Sequence, residues 1–179
     1  MLPMRCFLHV MHSLAASPSW DMQVARTFTR LNTVFVSLLA DETETKRAVN
    51  TFYNPTNQCG DSVSNYLSIG DRRFSTFDRI GTSQHMQRLY EALGTAQSFQ
   101  GSSITRAKYE LDQGIWAWDL EKVSQAVGSG FNLSHGQLLT VHMDGVGDTV
   151  TSSYAQRAYA ALHYDCILEL GSTGATVHS

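Results

Sequence analysis

The clearest pattern lies in the last third of the chain. Leu139, Val141 and Met143 alternate with Thr140, His142 and Asp144, and Leu162, Tyr164, Cys166, Leu168 and Leu170 alternate with Ala161, His163, Asp165 and Glu169. Period-two alternation puts the apolar side chains on one face of an extended chain, so the spacing predicts half-buried strands over 139–144 and 161–170. Turns follow at 145–147 and 171–174, and 175–178 folds back as a hairpin arm. Further upstream, Leu31, Thr33, Val34, Phe35, Val36, Leu38 and Leu39 are β-branched, aromatic or aliphatic on both faces, which predicts a strand covered on both sides. Shorter strands are expected over 48–53, ended by Asn54-Pro55, and over 64–69, ended by Gly70-Asp71, with 72–77 as hairpin partner. Strand character resumes over 104–111 and 114–120. In the second of these Trp116, Trp118 and Leu120 share a face opposite Ala117 and Asp119.

One stretch changes period. Met86, Leu89, Tyr90 and Leu93 fall at i, i+3, i+4 and i+7, one face of a helix, with Ser83 as N-cap and Gly94 as the residue past its end. A second short helix over 119–127 is an open alternative, since Leu120, Val123 and Val127 also fit a helical face. The first nineteen residues have no clean period and close on Ser17-Pro18-Ser19. They read as an N-terminal arm or truncation remnant, 1–19, ahead of one domain, 20–179. Seven or eight strands with one short helix predict an all-β fold, an antiparallel jelly-roll β-sandwich with the helix inserted across a sheet edge or end. A parallel α/β sheet is disfavoured because helices do not alternate with the strands.

Composition narrows the class. The chain has 179 residues, 42% hydrophobic and 16% charged, with a net charge of −3. That supports a single well-cored domain and disfavours a disordered chain or a free-standing basic nucleic-acid binder. No run approaches the roughly eighteen apolar residues of a membrane-spanning helix. Residues 1–16 faintly resemble a signal peptide, but His9 and His12 interrupt the apolar run. Cys6, Cys59 and Cys166 form neither a CxxC pair nor an even disulfide framework, so idle thiols in a reducing compartment are expected. Asn132-Leu133-Ser134 is a formal glycosylation triplet that carries nothing alone.

Candidate chemistry is sparse. His163 and Asp165, two apart on one strand, share a face, and His178 on the returning arm would complete a two-histidine, one-carboxylate iron set. The solvent face of an alternating strand accounts for the same residues. His135 and His142 are too far apart for a cupin metal site. No GxSxG elbow singles out a nucleophile, and there is no phosphate-binding glycine loop or HExxH pair. Trp116 and Trp118 are candidates for a sugar-stacking platform, although their face shared with Leu120 favours core packing. Arg72, Arg73 and Arg79 are interrupted by Asp71 and Asp78, as in a solvated loop. No catalytic, cofactor or metal residues are assigned, and the chain is expected to be no enzyme.

Several strings together resemble major capsid proteins of jelly-roll type from eukaryotic DNA viruses and Polinton-like elements. They are 26–36, Arg-Thr-Phe-Thr-Arg-Leu-Asn-Thr-Val-Phe-Val; 50–55, Asn-Thr-Phe-Tyr-Asn-Pro; and 118–123, Trp-Asp-Leu-Glu-Lys-Val. With them go Gly130-Phe131-Asn132, 136–141, and the ending 161–170 followed by 174–177. The resemblance runs in order from about Trp20 to Val177 and is to the C-terminal jelly roll of a double-jelly-roll protein. It implies a virion structural protein, located in the virion if viral and otherwise intracellular, that self-associates or joins other capsid subunits through its flanks into trimeric capsomers. It implies no cofactor, membrane span or specific nucleic-acid site. Family members carry two jelly rolls and this chain has length for one, so a fragment, an endogenised remnant and a single-jelly-roll relative are the forms it implies. The alternative reading is a carbohydrate-binding, lectin-like β-sandwich module.

Overall fold

A computed structural model describes residues 2–13, 19–39, 52–53, 64–74, 81–95, 103–111, 113–121, 129–133, 136–145, 157–171 and 174–178. In chain order the elements are β1 (Leu2–Ser13), β2 (Ser19–Val24), β3 (Leu31–Leu39), β4 (Phe52–Tyr53), β5 (Ser64–Ile69), β6 (Arg72–Phe74), α1 (Thr82–Ala92), α2 (Arg106–Leu111), β7 (Ile115–Asp119), β8 (Leu139–Asp144), β9 (Arg157–Gly171) and β10 (Gly174–His178). The larger sheet runs β1-β9-β3-β4, with β10 also on β9 and β7 also on β3; the smaller runs β2-β8-β5-β6. The pairing is nested and antiparallel: β1 with β9, β2 with β8, β3 with β7, β5 with β6. A long hairpin rolled so that successive pairs fall alternately in one sheet and the other gives this order, which is a jelly roll. The expected all-β, antiparallel sandwich is what the chain forms.

The inner faces make the core. Trp20, Met22 and Val24 of β2, Leu139, Val141 and Met143 of β8, and Leu67 and Ile69 of β5 meet Val34, Val36 and Leu38 of β3 and the even-numbered residues Ala158 to Cys166 of β9. Each large aliphatic side chain buried there contributes roughly 1.5–3 kcal/mol. Trp116 and Trp118 pair in register with Val36 and Val34 and are buried with them. Asn32 is the extra residue of a bulge, where the β3–β9 register shifts between Leu31 and Thr33. Gly130 packs directly behind it: a Cβ there would lie 2.2 Å from Asn32 Oδ1 and 2.8 Å from the Leu31 carbonyl oxygen. Glycine is required by that close approach.

Helix α1 is where the period change puts it, with two corrections. It begins at Thr82 with Gly81 as N-cap, so Ser83 lies inside the first turn, and its buried stripe is Thr82, His85 and Leu89, leaving Leu93 exposed. Its end is as expected: Gly94 has φ +69°, its N–H donates to the Glu91 carbonyl, and the Thr95 N–H donates to the Tyr90 carbonyl, a Schellman closure. The helix lies along β7, covering Ala117 and Phe35 on the outer face of the larger sheet together with Tyr109 of α2.

Four further expectations change. The strand expected over 104–111 is helix α2 instead. Arg106, Ala107, Lys108, Glu110 and Leu111 are good helix formers, Arg106 and Glu110 form an i,i+4 ion pair at 2.7 Å, and one residue, Tyr109, is inserted into the outer-face cluster. Residues 2–13, which carry no clean period, form β1, paired with β9 without a register break from Leu2↔Leu168 to Ser13↔Arg157. The alternation of Trp20, Met22 and Val24 with Asp21 and Gln23 is strict, and β2 follows it. Cys6 and Cys166 are joined in a disulfide between β1 and β9, with Cα atoms 6.5 Å apart, in place of idle thiols. Cys59, residues 122–128 of the possible second helix, Arg79, and residues 48–51 and 75–77 lie outside the described residues.

Candidate functional site

The two sheets turn very different outer faces away from the core. On the smaller sheet the outward residues are polar or amphipathic: Asp21 and Gln23, Ser64, Tyr66 and Ser68, Thr140, His142 and Asp144. They form a row across the strands. The Asp21 carboxylate binds His142 Nδ1, the His142 ring stacks on Tyr66 with centroids 4.6 Å apart, and the Arg73 guanidinium sits 3.8 Å from the Tyr66 centroid. On this face the polar and aromatic side chains engage one another.

Among the described residues the larger sheet is covered by α1 and α2 over β7 and β3, and by no further element over the outer face of β9 and β1. On that half Phe7 is 56% and Met11 55% exposed. Phe7 stacks on His163 with centroids 4.7 Å apart and on His9 at 6.4 Å. Between this row and the helices runs an apolar groove of about 380 Å³ lined by His9, Phe35, Ser37, Ile115, Tyr159 and Ala161. Toward the far end of β9 the inward-facing row goes on through Leu168 and Leu170. By register Met4 and Val177 join that face, and Leu170 is 64% and Val177 57% exposed. The apolar pattern that makes the core thus runs on, without a break, into exposed residues.

At the bulged end of β3 a polar cluster closes the same sheet. Asn32 Nδ2 donates to Asp165 Oδ1 at 2.8 Å, and Arg5 approaches Glu121 at 4.0 Å. Burial first, then the Arg5 charge, hold His163 below its ordinary pKa, against the pull of Asp165 and Glu121. His163 and Asp165 do share the outer face, as their spacing expects, but one stacks on Phe7 and the other binds Asn32. His178 lies by register opposite Ile167. No group of three or more His, Cys, Asp or Glu able to hold a metal occurs among the described residues.

The other candidates resolve as follows. Trp116 and Trp118 are both buried, so neither offers a ring to a sugar; the lectin-like alternative loses the residues it rested on. Arg72 and Arg73 lie over Phe131 and Tyr66, each engaged with an aromatic ring. No described helix is long and apolar enough to cross a membrane. The exposed row on β1 escaped the sequence because Cys6, Leu8 and Val10 face inward while Phe7 and Met11 face outward, so both faces are apolar and no period shows.

No protein-family model matches the chain, and no curated protein matches it in sequence. Solved structures do match. One is PBCV-1 VP54, whose crystal structure has been fitted into a cryo-EM reconstruction of the virophage Sputnik. It is similar over 99% of this chain and 52% of that one, with a TM-score of 0.53 and 11% identity. The chain therefore spans about half the length of that structure, and the likeness is one of fold.

Proposed function

We propose that this chain is a structural protein of capsid type, without enzymatic activity, that associates with further copies or with other capsid subunits into trimeric capsomers. The observation that carries the reading is the nested jelly-roll pairing, matched along 99% of the chain in VP54. The surface agrees with it in kind. Assembly draws on area spread over many side chains and not on a pocket, and the larger sheet offers an exposed apolar row where the smaller offers a solvated polar one. On this reading the protein is a single jelly-roll domain, its location is the virion, and its partners bind the flanks of the larger sheet.

The test is the native mass of the purified chain by sedimentation velocity from low to high concentration. Oligomers in multiples of three copies, or trimers formed on adding a second capsid subunit, are the expected outcome. A monodisperse monomer at high concentration, soluble and unchanged by such a subunit, sinks the capsid reading.

A further inference from the structure

We infer that the free edge of β1 is a contact between copies, in which two β1 strands pair antiparallel about a two-fold axis centred on Leu8. The inference rests on the self-association proposed above and names the strand that carries part of it. β1 is an edge of the larger sheet: it pairs with β9 on one side, and no described strand pairs with its other side. An unpaired edge is a row of free N–H and C=O groups, which proteins blunt with lysines, prolines, bulges or short strands. β1 has few of these defences. It is twelve residues long, contains no lysine, keeps its one proline at position 3, and runs along β9 with no register shift. The Cys6–Cys166 disulfide further pins it to β9, so the edge is held straight and presented.

The occupant follows from the sequence of the strand. A two-fold contact must be self-complementary, and about Leu8 the strand β1 pairs with a second copy of itself without setting like charges together. Centred there, Cys6 faces Val10 of the second copy, Phe7 faces His9, Met4 faces His12 and Arg5 faces Met11. Residues directly opposite in an antiparallel pair lie on the same face. Outward residues therefore meet outward ones, and Phe7 and His9, already stacked neighbours within one strand, meet again across the axis. Shifting the centre to Phe7 sets Arg5 against His9, and shifting it to His9 sets that ring against itself. Of these three registers, the Leu8-centred one keeps basic groups apart. It also continues the exposed row of Phe7 and Met11 from one copy into the next, removing the apolar area that each leaves to water.

Crosslinking in register tests this. Phe7→Cys and His9→Cys variants, each in a Cys59→Ala background, are oxidised separately and as an equal mixture. The expected result is a disulfide-linked dimer in the mixture at least tenfold more abundant than in either variant alone. Equal crosslinking of single variants, or none in any sample, overturns the inference. Sedimentation of a Phe7→Lys/Met11→Lys variant supplies the second measurement, and its expected dissociation constant is at least tenfold weaker than that of the unmodified chain. If the unmodified chain assembles and the lysine variant assembles equally, the β1 contact is wrong while the capsid reading stands. If the mixture crosslinks but nothing larger than a dimer forms even with a second subunit, the β1 contact stands and the capsid reading falls.

Discussion

The smaller and larger sheets are built from the same alternation, yet they use their outer faces in opposite ways. In β2, β5 and β8 every outward position is Ser, Thr, Asp, Gln, His or Tyr, and Asp21, His142, Tyr66 and Arg73 engage one another in a row. In the larger sheet Ala117 is buried and Phe35 and Ile115 partly buried under two helices, while Phe7 and Met11 on β1 stay more than half exposed. A sheet with one wet face needs no partner; a sheet apolar on both faces needs cover. The helices supply cover for half of the larger sheet. Over the remaining half, Phe7 and Met11 stay exposed with no described element above them.

The strongest way to break this contrast is to release β1 from β9. The Cys6–Cys166 disulfide closes a loop with a sequence separation of 160, and a crosslink over so long a loop is worth about 2–5 kcal/mol. Urea unfolding with and without reductant, alongside a Cys6→Ala variant, measures it. The oxidised chain is expected to be more stable by that amount, and reduction should bring it to the level of the variant. Identical midpoints with and without reductant would mean that the edge strand is held by its hydrogen-bond ladder alone.

The asymmetry between the sheets also governs what the sequence discloses. β8 and β9 separate apolar from polar residues cleanly, and β3 carries apolar residues on both faces, so all three are legible. β2 has the same clean alternation of Trp20, Met22 and Val24 with Asp21 and Gln23 within six residues, but it directly follows the unpatterned first nineteen residues and is not among the expected strands. β1 is hidden because apolar residues occupy both its faces, with Arg5, His9 and His12 scattered among them, so it shows no period of two. α2 is hidden because it is only six residues long and, among the side chains whose burial is described, Tyr109 alone is buried, which defines no stripe. The pairing of Cys6 with Cys166 depends on β1 lying beside β9, a contact between the two ends of the chain that no local pattern encodes.

A smaller effect probes the helix cover. Tyr109 is fully buried between α2 and β7, and its hydroxyl donates to the Ile115 carbonyl at 2.8 Å. Tyr109→Phe deletes that bond and leaves the carbonyl without it, an expected loss of about 0.5–1.5 kcal/mol at neutral pH. Burial pushes the Tyr109 ionisation well above its ordinary value of 10.0. The unfolded chain then loses its proton first, so this contribution is complete below about pH 10 and declines as the pH rises further. The difference between wild type and Tyr109→Phe should therefore shrink above pH 10. A constant difference would place the hydroxyl in contact with water, and the helices would no longer count as cover.

The finest measurement bears on the bare half of the larger sheet. His163 lies beneath the Phe7 ring, and burial, followed by the Arg5 charge, lowers its pKa below the ordinary 6.5, while Asp165 and Glu121 oppose them. A folded-state pKa below the unfolded one means that the unfolded chain takes up its proton first. The contribution of His163 is thus complete above pH 6.5 and is lost as the pH falls toward the folded value. An NMR titration of the histidine rings should find His163 with a midpoint below 6.5. Phe7→Ala, which lets water onto the ring, should raise that midpoint more than Arg5→Gln, which removes the lesser cause. The β1 pairing proposed above sets a second His9 beside Phe7 and shields that ring further from water, so the midpoint should fall further as the protein concentration rises. A midpoint that stays at 6.5 at every concentration would mean that the Phe7 row is as well hydrated as the smaller sheet, and the contrast between the two faces would fail at the place where it is sharpest.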